Sequence, residues 1–461
     1  MGGLTGSMWI ALNALQAQQV GMETSANNVA NLNTPGYSRE VPVLQEADPF
    51  VQGKLVVGGG VEVEGIQSLR DSLLDLQISE ETQQQGNSQA FVNAMNQVQT
   101  LFPDDTTGIG QQISAFFQSL NSLSTDPSDT TLRQGVLTAA QNMATAFNDT
   151  AGQLTDIRQQ LDSQVQQQVQ QVNQITQQIA GINAQLTNVG SSTQEYGAFL
   201  DQRSALIQQL SGLIDVSQLS DGPSLTLTTK QGTALVVGGQ SYALSTALGT
   251  DGVQHIYSSQ DQDITGEISG GQLGGTLAAR DQTIPSLQTQ LDSLAGGMVT
   301  ALNYAQSQGT DMYGNSGKDL SNLFEPITGT GAAADMALAI SDPNLIAASS
   351  DVDPSQGSNG NLANFSAVAN ADVSNGMTPS GAYGNLVFQV GTAVSNQSSE
   401  LGASNAMLTQ LTQQQSSVSG VSLDQEASSL LLYQQAYQAS AQVITTINQM
   451  LETVLNMGAG S

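Results

Sequence analysis

The stretch Ser25-Ala26-Asn27-Asn28-Val29-Ala30-Asn31-Leu32-Asn33-Thr34-Pro35-Gly36-Tyr37-Ser38-Arg39 decides how this chain is read. It closes a run in which Leu4, Met8, Ala11, Leu15, Met22 and Val29 alternate in spacings of three and four, with Gln18 and Ser25 in the two missing places. That period lays the apolar side chains along one stripe of a helix, as in a coiled coil. The helix must stop at Thr34-Pro35, because the proline ring disfavours helical backbone at the residue before it. Pro35-Gly36 suits the centre of a type II turn, whose third residue needs positive φ. Before Arg39 the run holds one acid, Glu23, and neither Lys nor Arg.

The other end has the same character. Ser422 with Gln425 three residues on reads as a capping box, and Asp424 and Glu426 suit the positive first turn of a helix. Ala427, Leu430, Tyr437, Ala441, Ile444, Leu451 and Leu455 form the following stripe, and no residue between Ala427 and Leu451 is charged. Full burial of one Leu or Ile is worth roughly 1.5–3 kcal/mol, whereas such helices are marginal when isolated in water. Two outcomes stay open: the ends form a hairpin within one chain, or they order by packing between subunits.

Between the ends the texture changes several times. Residues 38–70 read as extended, with Lys54–Val57 and Val61–Glu64 as a hairpin around Gly58-Gly59-Gly60. A helical period from Leu73 to Leu101 reads as a broken helix ending at Pro103, followed by a short one through Ile113, Phe116, Leu120 and Leu123. Residues 131–186 are the longest helical tract. There Leu161, Val165, Val172, Ile175, Ile179, Ile182 and Leu186 keep a coiled-coil period around Gln168, flanked by Gln instead of Glu and Lys. After the Gly190-Ser191-Ser192 break a returning helix reaches Ile214. Residues 216–284 hold short glycine-punctuated strands (Leu225-Thr226-Leu227, Ala234–Val237, His255-Ile256-Tyr257) and read as an inserted β domain. Helical period resumes at Ile284; 309–382 is Gly/Ser/Asn/Asp-rich with short helices, and a last long tract begins near Tyr383.

Composition excludes several functions. Asp+Glu is 39 against Lys+Arg 9, a net charge of -30, so neither nucleic acid nor an anionic membrane surface is an expected partner. Only 10% of the 461 residues are charged, so the surface must be largely Gln, Asn, Ser and Thr, groups that suit dense packing of identical subunits. No apolar run reaches the ~20 residues of a membrane span. There is no Cys, and a single His leaves little room for His-dependent catalysis or a His-rich metal site. Aromatics, at 4%, are few for a large globular core. No basic segment precedes an apolar one at the start, so a cleaved signal peptide is not expected.

Taken together, the opening stretch resembles the N-terminal signature shared by bacterial flagellar rod, hook and hook-associated proteins. Ser419–Ala427 with Leu432-Tyr433-Gln434-Gln435-Ala436-Tyr437-Gln438-Ala439-Ser440-Ala441 resembles their C-terminal one. The Thr-Pro-Gly-Tyr-Ser-Arg turn, the Gln-rich coil leading into Glu195–Arg203, and Gly266–Gly275 resemble the hook-associated branch found at the hook–filament junction. The likeness is weak in 216–265 and 310–380. It implies a mainly α fold with an inserted β domain in a nested axial architecture. Residues 1–35 with 423–461 would form the terminal coiled-coil domain, 36–215 with 285–422 a mainly helical bundle, and 216–284 the outer β domain. It also implies a structural, non-enzymatic adaptor at the distal end of the hook, with another axial subunit (hook or rod) as the alternative. The implied partners are further copies in a helical tube, hook protein, the next hook-associated protein and an export chaperone, with no small-molecule substrate and no cofactor. The implied location is extracellular, on the flagellum, after type III export without a cleaved signal peptide.

Leu4, Met8, Leu15, Met22, Val29, Asn33, Pro35, Gly36, Tyr37, Arg39, Leu430, Tyr433, Tyr437, Ile444, Ile447 and Leu451 are the candidate subunit-interface residues. Tyr37 and Arg39 either anchor the turn or touch a neighbour; Tyr433 and Tyr437, one helical turn apart, either fill a core or meet another subunit. Other chemistry is thin. His255 has no second His or Cys nearby in sequence and reads as structural. Gly270–Gly275 lacks the Lys-Ser/Thr of a phosphate loop and reads as a tight bend. Asp261/Asp263 and Asp351/Asp353 lack the rest of a calcium loop.

Overall fold

The structure, a computed structural model, describes residues 2–52, 55–103, 108–191, 193–221, 224–327, 329–351 and 358–458. Lys54, Ser192 and Asp353 of the sequence reading lie outside the described residues. The opening stripe forms helix α1, Gly2–Ala30, and the stretch after it turns into a strand β1, Glu40–Glu46. Two short strands, β2 (Phe50–Gln52) and β3 (Leu55–Val57), pair with each other, and β4 (Val61–Ser68) returns to pair with β1. Leu55–Val57 therefore pairs with β2, and not with 61–64 as the expected hairpin has it. An antiparallel ladder running from Glu40 opposite Ser68 to Glu46 opposite Val61 satisfies more backbone groups than that hairpin would.

Helix α2, Ser72–Gln99, begins where the Asp71 carboxylate accepts the N–H groups of Leu73 and Leu74 at 3.0 and 3.2 Å. It is one continuous helix, not a broken one. Its apolar period lapses because its middle buries Ser79, Gln83, Gly86 and Ser88, small or amide side chains at helix crossings. Helices α3 (Ile109–Leu123), α4 (Thr130–Asn188) and α5 (Gln194–Leu213) follow. With 59 residues, α4 extends about 90 Å at the usual rise of 1.5 Å per residue.

Strands β5 (Ser217–Asp221), β6 (Ser224–Thr228), β7 (Ala234–Val237) and β8 (Gln240–Ser241) form an antiparallel meander, and β9 (Ser245–Leu248) pairs with β10 (Gln254–Tyr257). Among the described residues only isolated β-bridges follow. The glycine run read as a bend opens helix α6 (Gly271–Leu277), which passes through a π-helical turn, Ala278–Thr283, into α7 (Ile284–Ser307). A long irregular segment carrying the short α8 (Leu362–Ala367) leads to α9 (Pro379–Ser419) and α10 (Leu423–Gly458).

Two apolar cores lie along α4. The first gathers its N-terminal half with α3, α7, α8 and the ends of α2 and α9, around Met95, Phe116, Phe147, Leu291, Phe324 and Phe365. The second packs its C-terminal half (Val165, Val172, Ile179) against α5, α6 and the inner faces of β6, β7 and β10. The coiled-coil stripe of α4 is thus shared between helices and strands, and Gln168 on that stripe, 3% exposed, donates to Thr276 Oγ1 at 3.2 Å. With few aromatics, the interior is mainly aliphatic and drawn out along one long helix. The chain is mainly α with a small β region and long helices at both ends.

Candidate assembly interface

The two terminal stripes meet. Helix α10 packs on α1. Gly21 lies against the Tyr433 ring, and Glu426, at the start of α10, reaches Arg39 just beyond the end of α1. Moving back along α1 thus moves forward along α10, so the pair is antiparallel. On α10 the buried and half-buried residues are Glu426, Ser429, Leu430, Tyr433, Ala436, Tyr437, Ser440, Ala441, Ile444, Ile447 and Leu451, one helix face recurring every three to four residues. Leu4, Leu15, Met22 and Val29 of α1 are half-buried, while Met8 is at the edge of exposure. The chain therefore forms the terminal hairpin within itself.

Strands β1 and β4 also pack on α1, and the rest of the pair's outer surface is uncovered. Trp9 is 64% exposed and Leu432 65%, and Leu12, Leu431, Val443, Met450, Val454, Leu455 and Met457 are exposed with them. Single exposed apolar residues need no explanation, but a run along one helix pair marks an interaction surface.

Below the pair lies a joint built by the opening stretch. Tyr37 N–H donates to Thr34 O at 3.2 Å and Gly36 has φ +78°, the third-residue value of a type II turn that side chains bearing a Cβ rarely adopt. Asn28, 1% exposed, holds the turn closed. Its Nδ2 donates to Glu40 O at 2.8 Å, and its Oδ1 accepts from Glu40 N at 2.9 Å and from the Tyr37 hydroxyl at 2.8 Å. An amide that answers both backbone groups of one residue does what a strand partner would, which Asp or Leu at that place could not.

From this turn the chain is tied to three other elements. Arg39 N donates to Ser419 O at the end of α9 at 2.8 Å, and its Nε to Glu426 Oε1 of α10 at 2.6 Å. Ser38 N donates to Asp201 Oδ2 of α5 at 3.1 Å. Asp201 also pairs with Arg70, which donates to Leu200 O and Ser204 Oγ at 3.0 and 2.9 Å. Burial pushes the Glu40 carboxyl up to about 7, with Asp201 adding to it and a hydrogen bond from Gln194 opposing it. Burial likewise drives the Tyr37 phenol well above its usual range, with the charges of Glu40, Asp201 and Glu426 adding. Among the sequence candidates, Tyr37 and Arg39 are half-buried parts of this joint, whereas Asn33, Pro35 and Gly36 stay exposed. Asn28, Glu40, Arg70 and Glu426 were not singled out for it. Asn28 stood in the opening stretch, but its partners Tyr37 and Glu40 lie 9 and 12 positions on, beyond a turn whose path the helical period does not reveal.

The remaining candidates are far from it. His255 sits between two carboxylates, Nδ1 2.6 Å from Asp263 and Nε2 3.2 Å from Asp251, and these bonds hold it above its ordinary value. It lines a cavity of about 740 Å³ with Arg158, Glu267, Arg280 and Asp281. Arg280, fully buried, binds Asp162, Asp281 and the Gln254 carbonyl. Among the described residues no group of three or more His, Cys, Asp or Glu is arranged to hold a metal ion, and no helix is long and apolar enough to cross a membrane. Asp261 lies in a turn at φ +58° and Asp351 is exposed.

Comparison with known proteins agrees with this geometry. Residues 95–321 match the model of the flagellar hook-associated protein FlgK helical domain. Residues 8–37 match that of the flagella basal body rod protein, and 412–457 that of the flagellar basal body rod FlgEFG protein C-terminal. Flagellar hook-associated protein 1 of Salmonella typhimurium is 26% identical over 328 residues, which are 69% of this chain and 59% of that protein. The Bacillus subtilis protein of the same name is 30% identical over 141 residues, 28% of this chain and 27% of that one. The match thus spans less than two thirds of the length of these relatives. The solved structure of the flagellar hook junction protein FlgK from Burkholderia pseudomallei superposes with a TM-score of 0.66 at 20% identity, covering 74% of this chain and 100% of that one, so the two share a fold. With rod-type models at both ends, the hook-associated helical model between them and these relatives alongside, the chain is similar in sequence and domain order to flagellar hook-associated protein 1.

Proposed function

We propose that the chain is a structural subunit of the hook–filament junction, placed at the distal end of the hook to support filament attachment. One observation carries this reading: the α1–α10 pair closes one apolar seam within the chain and leaves a second along its outside. Covering such a surface by a different face of the neighbouring copy, in a heterologous and non-closing arrangement, builds a tube instead of a closed pair. In this proposal Leu4 to Val29 and Leu430 to Leu451 hold the seam, while Trp9, Leu431, Leu432 and Val443 meet neighbouring copies. Residues 1–35 with 423–461 line the tube, the helical body surrounds them, and the segment carrying β5–β10 faces outward. Hook protein, the next hook-associated protein and an export chaperone are its proposed partners, and type III export brings it outside the cell. Its role is architectural, and no catalytic function is assigned.

The experiment is complementation of a strain lacking the protein. Leu432→Asp with Val443→Asp lies outside the intramolecular seam, so the purified monomer should keep its helicity by circular dichroism. Cells carrying it should bear hooks without filaments. Normal filament numbers in those cells would remove the terminal-helix surface from the mechanism.

A further inference from the structure

The joint beneath the terminal helices contains one buried carboxyl without a cation. Arg39 is taken by Glu426 and Arg70 by Asp201. Glu40 is 3% exposed, and its Oε2 is buried without a hydrogen-bond partner. Ser68, opposite Glu40 in the β1–β4 ladder, has an Oγ that is also buried and unpartnered. Both side chains flank Gly197 of α5: a Cβ there would meet Glu40 Oε1 at 2.7 Å and Ser68 Oγ at 2.8 Å. The Glu40 carboxyl cannot easily leave, because Asn28 holds its N–H and C=O from α1.

The groups around it come from every element at the joint. Asp201 and Gln194 belong to α5, Arg70 to the link into α2, Glu426 to α10, and Tyr37 and Arg39 to its own segment. Asp75 at the start of α2 senses Arg70 and Asp201 and is bound by Gln415 of α9 at 2.6 Å. Arg203 lies further along α5 and is felt by Arg70. Arg39 and Arg70 are each matched to an acid, so an ionised Glu40 has no ion pair of its own in a water-poor cluster, next to Asp201.

We propose that this joint is a proton-operated latch: Glu40, buried with its Oε2 unpartnered and with no cation of its own, is held there in its neutral form, and its ionisation loosens the α1–α10 pair from α5 and α9. The raised value of about 7 supports this and sets the window. It lies above the 4.5 of a free Glu side chain, so between the two the folded chain holds a proton that the unfolded one has lost. The latch is therefore firm below that window, weakens as pH rises through it, and is open above about 7.

Hydrogen–deuterium exchange of the whole chain at about pH 6 and about pH 8.5, with each peptide's rate divided by its intrinsic rate at that pH, tests it. Exchange of peptides from 26–41 and 196–204 should rise about tenfold or more at the higher pH, the change expected when one or more pKa units of stabilisation are lost. Peptides from α3 should not change. Glu40→Gln, neutral at both values, should abolish the rise. Equal normalised exchange at the joint in the wild type overturns the proposal, as does a rise that persists in Glu40→Gln, which assigns the effect to Asp75 or another group. Should Glu40→Gln not fold, Asp201→Asn replaces it: without the neighbouring carboxylate that raises Glu40, and with Arg70 no longer paired to it, the midpoint of the wild-type rise should move to lower pH, and an unmoved midpoint counts against the latch.

Discussion

Arg39 Nε lies 2.6 Å from Glu426 Oε1 although 387 positions separate the two residues. The pair joins the turn after the first helix to the first turn of the last one, and Glu426 is 1% exposed there. Breaking a buried ion pair from one side leaves an uncompensated charge, so Arg39→Ala should cost roughly 3–5 kcal/mol. Arg39→Met with Glu426→Leu should cost much less, because neither charge is then stranded. Urea unfolding of the two variants beside the wild type measures the difference, and similar losses would mean that the pair matters for packing alone.

Two helical glycines should respond in opposite directions to the same change. A Cβ on Gly275 of α6 would fall on the Asn87 carbonyl of α2, a backbone atom that cannot swing aside. Gly275→Ala should therefore destabilise by about 2–3 kcal/mol. Gly135 of α4 has nothing within 4 Å of that position. Gly135→Ala should stabilise by about 0.5–1 kcal/mol, since alanine loses less backbone freedom in a helix. Thermal melts of both variants are sufficient, and a stable Gly275→Ala protein would contradict the tight α2–α6 crossing.

His255 is the single histidine, so its ring gives one resolvable titration. Bonds to Asp263 first, then Asp251, favour the imidazolium. Its folded value is raised above the ordinary 6.5. The stabilisation it supplies is thus complete below 6.5 and fades as pH rises through the folded value. In a proton NMR titration the midpoint should lie above 6.5 in the wild type and move down in Asp263→Asn. An unmoved midpoint would show that the two loops do not hold the ring in solution.

Gln168 lies on an apolar stripe with its Oε1 buried and without a partner. Thr276 Oγ1, to which it donates, also donates to the Gln272 carbonyl at 2.8 Å and stays satisfied without it. Gln168→Met keeps the volume and removes the orphan acceptor, so stability should rise by about 1 kcal/mol. A loss of stability on denaturant unfolding would indicate that Oε1 finds a bridging water.

The terminal stripes were legible because apolar residues at alternating spacings of three and four have one helical interpretation, and Pro35-Gly36 fixes where the first helix must stop. The β segment was legible in its strands but not in its end. The glycines of Gly270–Gly275 read as a tight bend, and only the nearness of the Asn87 carbonyl of α2 shows that they belong to a helix lying against another backbone. The continuity of α2 was hidden for a related reason: the residues it buries at crossings are Ser79, Gln83, Gly86 and Ser88, which no hydrophobic period reveals.

By itself the sequence determined that both ends are helices with little charge, that a Thr-Pro-Gly turn closes the first, and that catalytic and metal chemistry have few candidate residues to draw on. Those features depend on neighbours within a turn or two, and local backbone sterics and periodicity decide them. Tertiary structure alone decided that the ends pair with each other in antiparallel fashion, that Asn28 grips Glu40, and that Glu40 is left without a cation. Those depend on which distant groups share one buried volume, and burial and charge balance have no signature along the chain.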